Sequence, residues 1–218
     1  AGSRTMLAFI RALLDAGAVV KFWPDNLYYD PMYAPRLQAM GVEVFHGVRW
    51  RDGIGAMLSE YGDEFDAILL SRPDVADAHF DAIRAHSRAR VVYYGHDLHF
   101  RRMRDQAALS PEGDARNALL RGADTMETRE RAIWRRSDGV LYPSDDEAAQ
   151  VRALEPAVDA RGRAAGAYFV TSLRGAPDTK ASMLSMSWSA TAWRACTLAQ
   201  ATCGVRMKFG RSVSFISG

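Results

Sequence analysis

The feature that most restricts this chain is a set of short, almost wholly apolar runs, each ending in a turn residue and each separated from the next by helix-like spacing. Val91-Val92-Tyr93-Tyr94 runs into Gly95, Ala67-Ile68-Leu69-Leu70 into Ser71-Arg72-Pro73, and Gly139 to Tyr142 into Pro143-Ser144. A strand apolar on both faces must be covered on both, and helical crossovers between such strands force them to run parallel. The fold class expected is therefore α/β, a Rossmann-like doubly wound parallel sheet.

The intervening segments agree. Met6, Phe9, Ile10, Leu13 and Leu14 lie on one helical face, with Ser3 placed to cap the start and Gly17 to close the end. Strands follow at Ala18 to Trp23, stopped by Pro24, and at Val42 to Phe45. Helices are expected at Tyr33 to Met40, Ile54 to Tyr61, Val75 to His86, Thr125 to Arg135, and after Ser144, where Ser144 and Glu147 have capping-box spacing. One strand is missing from this order. Gly2 and Ser3 stand where the first strand-to-helix loop belongs, so the expectation is that the natural protein starts upstream and that this chain lacks its first strand.

Composition excludes more than it selects. With 48% hydrophobic and 25% charged residues the chain can bury a core, and a formal charge of +2 is too small an excess to suggest nucleic acid. Cys196 and Cys203 match neither a disulfide framework nor a complete zinc site, which points to a reducing, cytoplasmic setting. No apolar run reaches the ~20 residues that span a bilayer. The protein is expected to be soluble, or at most peripheral at an inner membrane. No G-x-G-x-x-G follows a strand, which argues against a nucleotide-dependent dehydrogenase.

The carboxyl-terminal part reads differently. After Asp178 there is no acidic residue, and neither clean periodicity nor strand-helix alternation continues. Two readings stand side by side. One is a genuine but atypical tail; the other is a truncated or frame-shifted start of a second domain, since Met186 to Ala192 can be encoded so that a shifted frame reads Val-Val-Val-Gly-Tyr.

Taken together, "GSRTMLAFIRALLDAGAVVKFWPDN", "FDAILLSRPDVA", "VVYYGHDLHFRR" and "SDGVLYPSDDEAAQV" resemble the amino-terminal half of a GT-B glycosyltransferase, of the glycosyltransferase family four type and its bacterial polysaccharide and glycolipid relatives. The resemblance covers Gly2 to Asp159 in order and spacing. It implies residues 1–160 as an acceptor-side Rossmann-like domain, and 161–218 as linker and tail. It also implies transfer of a sugar from a nucleotide-sugar donor to a saccharide or lipid-linked acceptor, without a further cofactor. The donor-side domain, with its Gly-rich turn and paired glutamates, is not recognisable after Asp178, so this chain is expected to turn over little or nothing. A non-catalytic sugar- or nucleotide-binding module of the same fold is the alternative.

The candidate residues lie where strands end. In the resembling enzymes a histidine in the loop of His96 faces the reaction centre; a structural loop histidine packed under Tyr94 is the other reading. Asp97 is a candidate to orient His96 or bond a sugar hydroxyl, and equally an N-cap. His99 gives H-x-x-H spacing with His96, for which no metal is expected. Gly2, Ser3 and Arg4 would open the first helix toward a donor phosphate. Ser71 and Arg72, Asp25 and Asn26, and Ser144 occupy equivalent strand ends and are assigned to substrate binding, each with an ordinary turn or cap as its other reading. Arg101, Arg102 and Arg104, with Arg135 and Arg136, could meet anionic lipid heads or simply form solvated helix faces. Trp23, Tyr28, Tyr29, Tyr33 and Trp50 could stack on sugars or fill the core.

Overall fold

The computed structural model describes residues 2–162 and 212–217. The first element is helix α1 (Gly2–Asp15), whose Met6, Phe9, Ile10 and Leu13 form one buried face. It ends at Gly17, where φ is 82 and the left-handed backbone suits a residue without a side chain. Strand β1 (Val19–Pro24) then stops at its proline, and α2 (Ala34–Ala39) leads to the short β2 (Glu43–Val44). Next come α3 (Ile54–Tyr61), β3 (Phe65–Ser71), α4 (Pro73–His86) and β4 (Arg90–Tyr94). They are followed by α5 (His99–Leu109), α6 (Asp114–Arg136), β5 (Gly139–Leu141), α7 (Asp145–Leu154), β6 (Ala160–Arg161) and β7 (Ser212–Ser217).

All seven strands pair in parallel in the order β2-β1-β7-β3-β4-β5-β6. Chain order runs outward from the middle in both directions, β1 to β2 one way and β3 to β6 the other. The reversal falls between β1 and β3, and β7 lies in that gap. At the carboxyl rim the register aligns Pro24, Ser217, Ser71, Tyr94, Leu141 and Arg161 in one rung across six strands. The residues that follow this rung are the ones expected to carry function: Asp25, Arg72, His96 and Ser144.

The strands alternate their side chains between two cores. Val20, Leu69, Val92 and Tyr94 pack with α1 and α2 on one face. Trp23, Ile68, Leu70, Val91, Tyr93 and Ile216 pack with α3, α4, α5, α6 and α7 on the other. Helices on both faces of a parallel sheet make this an α/β architecture compatible with a Rossmann-like arrangement. Fully burying a residue such as Ile216 contributes roughly 1.5–3 kcal/mol, so β7 is held by more than its ladder. Ser214, on the same strand, is buried with an unpartnered hydroxyl among the described residues.

Several expectations are corrected. Ser212–Ser217, within the segment expected to be linker and tail, pairs with β1 and β3 in the same sheet. The serines that interrupt its apolar run hide it from a pattern search. Helix α6 starts at Asp114 instead of Thr125, and its first buried residue is Ala123, so the turns before it stand largely exposed. Helix α5 is a further addition, with only Phe100 and Ala107 buried. Ser3 falls inside α1, which begins at Gly2, and is not its cap. The shifted-frame reading of Met186 to Ala192, like Cys196 and Cys203, lies outside the described residues.

Candidate functional site at the carboxyl rim

The site is built around the end of β4. Gly95 hydrogen-bonds Leu141 through its backbone at 2.9 Å, extending the ladder one step past the strand. A Cβ on Gly95 would sit 2.2 Å from the Tyr142 ring, so the glycine is required by close approach, not by an unusual φ. Only then does the chain turn, and His96 emerges half-buried above the rung.

There its Nε2 lies 2.7 Å from the Oγ of Ser71. Ser71 ends β3 and is 0% exposed. The imidazole also stands edge-on to Tyr94, with ring centroids 4.9 Å apart. Burial lowers the His96 pKa from its ordinary 6.5, and the nearby Arg72 charge lowers it further while Asp97 acts in the opposite sense. The ring is consequently neutral at pH 7, with one nitrogen engaged by a serine hydroxyl. A neutral imidazole so held can donate a proton to, or accept one from, a hydroxyl presented to its other nitrogen.

Arg72 caps α4 in an unusual way. Its φ is 81 and ψ 148, a backbone region that costs a non-glycine residue roughly 1–3 kcal/mol. Pro73 fixes the first turn of the helix behind it, and the Arg72 N–H donates to the Tyr94 carbonyl at 3.5 Å. The guanidinium is exposed and has no hydrogen-bond or ion-pair partner among the described residues. It is a cation at a helix N-terminus beside a neutral histidine, a combination suited to a negatively charged or hydroxyl-rich ligand.

The other candidates take different roles. Asp97 does not orient His96: its carboxylate meets Arg102 at 2.7 Å and His99 at 3.3 Å. Nor is it the cap of α5, whose N-cap is Leu98. That capping falls to Glu130, a fully buried carboxylate of α6 that accepts from the backbone N–H groups of His99 and Phe100 at 3.4 and 3.2 Å. Its hydrogen bond to the His99 ring raises that histidine's pKa. His96 and His99 thus have separate partners, and the described residues hold no group of three His, Cys, Asp or Glu that could bind a metal.

Asp25 is joined to His79 of α4 at 2.6 Å, and Asn26 accepts from the Tyr28 N–H at 3.0 Å in a local turn. Ser144 caps α7 with Glu147 in the reciprocal capping box the spacing predicts. The backbones of Gly2, Ser3 and Arg4 form the first turn of α1, and Thr5 in that turn hydrogen-bonds the Tyr94 hydroxyl. That bond brings α1's amino end to the same rim as His96.

The arginine clusters are largely neutralised. Arg104 pairs with Asp124 and Glu127, Arg135 with Glu155, Arg136 with Asp81, and Arg101 reaches Gln150. Of the proposed sugar-stacking aromatics, Trp23 and Trp50 are core, whereas Tyr28, Tyr29 and Tyr33 are exposed in the loop after β1. Two contributors escape sequence reasoning. Tyr94 reads as a strand residue against which His96 could pack, without the Thr5 bond to its hydroxyl, and Glu130 reads as one more charge on a helix. Strand alternation would have placed Tyr94 at the rim, but nothing local marks Glu130 as buried.

No helix among the described residues is long and apolar enough to cross a membrane. No protein-family model, curated protein or solved structure matches the chain.

Proposed function

We propose that the domain is the acceptor-side half of a GT-B type glycosyltransferase, binding a saccharide or lipid-linked acceptor against the rim formed by β3, β4 and their loops. The observation that carries the reading is the Ser71–His96 pair beside Arg72, with Ser71 at the end of β3, the strand that borders the point where strand order reverses. Ligands of open α/β sheets bind at that reversal, beyond the carboxyl ends of the strands. In this reading Ser71 holds the imidazole, His96 bonds or deprotonates an acceptor hydroxyl, and Arg72 meets an anionic group of the acceptor or of the donor diphosphate. The nucleotide sugar itself is bound mainly by a second domain, and transfer requires both.

Binding tests it on the chain as it stands. Neutral and lipid-diphosphate-linked oligosaccharides, and nucleotide sugars as a separate series, are titrated calorimetrically. The expected result is acceptor binding that weakens at least ~10-fold in His96→Ala, the loss of one hydrogen bond to a buried partner. Binding of nucleotide sugars alone, or acceptor binding indifferent to His96→Ala, would favour the non-catalytic module instead.

A further inference from the structure

We propose that His99 is a positioning residue for His96: its charged ring, gripped by Asp97 and Glu130, ties residues 95–98 down onto α6 and thereby holds the His96 imidazole against Ser71. This rests on the reading of His96 as the group that meets the acceptor, and adds a regulator to that site. Residues 95–98 are a short bridge from β4 to α5. One end is pinned by the ladder, where the Gly95 N–H donates to Leu141 at 2.9 Å. The other end has no side-chain cap of its own, since the N-cap Leu98 supplies none. There the His99 Nδ1 lies 3.1 Å from the Asp97 carbonyl oxygen, 3.3 Å from the Asp97 carboxylate and 3.3 Å from Glu130. A single ring nitrogen thus joins the bridge to α6.

The charges around His99 favour its protonated ring. Glu130 is 0% exposed, and among the described residues its cationic partner is His99 alone. A buried carboxylate needs such a partner, because removing it leaves an uncompensated charge. Asp97 adds a second carboxylate, offset by Arg102 of α5 at 2.7 Å. His96 is a further titrating group on the bridge itself, and its charge and that of His99 oppose each other. On the far side of Glu130, the Tyr142 hydroxyl donates to it at 3.4 Å. Tyr93 of β4 is buried with a hydroxyl unpartnered among the described residues, its pKa raised by burial and then by the Glu130 and Asp97 charges. The two histidines are shifted oppositely: the Glu130 hydrogen bond raises His99, whereas burial lowers His96. His99 is charged below its folded pKa and His96 neutral above its own. Both conditions hold only between the two values, a window that includes 6.5.

The test uses the full chain and His99→Asn, whose amide keeps a donor at the place of Nδ1 but carries no charge. The order parameter of the His96 ring Cε1–H is followed by NMR over the pH range in which His99 titrates in the same spectra. In the parent it is expected to fall from the ~0.85 of a rigid group to below ~0.6 as His99 loses its proton. In His99→Asn that fall is expected to vanish. Affinity for a lipid-diphosphate-linked oligosaccharide is expected to decline ~10-fold over the same range in the parent and to stay level in the variant. A ring order that follows His99 with no oligosaccharide bound at any pH would sustain the positioning role while refuting the acceptor reading. A His96 ring whose order is unchanged across the His99 titration, or that loosens identically in His99→Asn, would overturn the inference.

Discussion

Arg72 shows how a single position can be set against local stability. A φ of 81 is tolerated by glycine and resisted by any residue with a Cβ. Arg72→Gly should therefore raise the unfolding free energy by about 1 kcal/mol relative to Arg72→Ala, while both variants lose anionic acceptors equally. Denaturant midpoints of the two variants decide it, and equal midpoints would show that the backbone there is unstrained. His96 poses the matching question of charge. Because its folded pKa lies below 6.5, its contribution to stability is complete above that value and is lost as pH falls through the lower folded one. The histidine and its glycine are legible in the sequence as the end of a strand. The buried Ser71 hydroxyl is not, since a serine after an apolar run reads equally as a turn.

At the scale of elements, α5 is held by a carboxylate from another helix. Glu130 is 0% exposed and takes the two N–H groups at the start of α5 together with the His99 ring. Glu130→Gln should cost about 1–3 kcal/mol, as a buried acceptor for several donors is weakened. It should also remove a pH dependence. The raised His99 pKa means that its stabilisation is fully present below 6.5 and lost as pH rises through the folded value. Melting temperatures of parent and variant should converge as pH rises through that window; a gap independent of pH would assign the cost to the cap alone. Sequence spacing finds α3, α4 and the Ser144 capping box because their signals are local. It misses α5 and the start of α6 because few of their residues are buried, Phe100 and Ala107 in the one and none before Ala123 in the other.

For the whole molecule, the parallel α/β class follows from runs such as Ala67 to Leu70 and Val91 to Tyr94, which can only be covered from both faces. The position of β7 does not follow from any such run. Val213, Phe215 and Ile216 are separated or flanked by serines, and their place between β1 and β3 is a long-range choice to which the burial of Ile216 contributes. Arg72 and His96 project from the rung at which β3 and β4 pair directly, Ser71 beside Tyr94. The most direct measurement is therefore a histidine-selective NMR titration of the full chain with and without a lipid-diphosphate-linked oligosaccharide. The account predicts that His96 half-protonates below 6.5, that Ser71→Ala frees its Nε2, and that the ligand moves its ring resonances. A His96 that titrates at or above 6.5, ignores Ser71→Ala and does not respond to the ligand would contradict it.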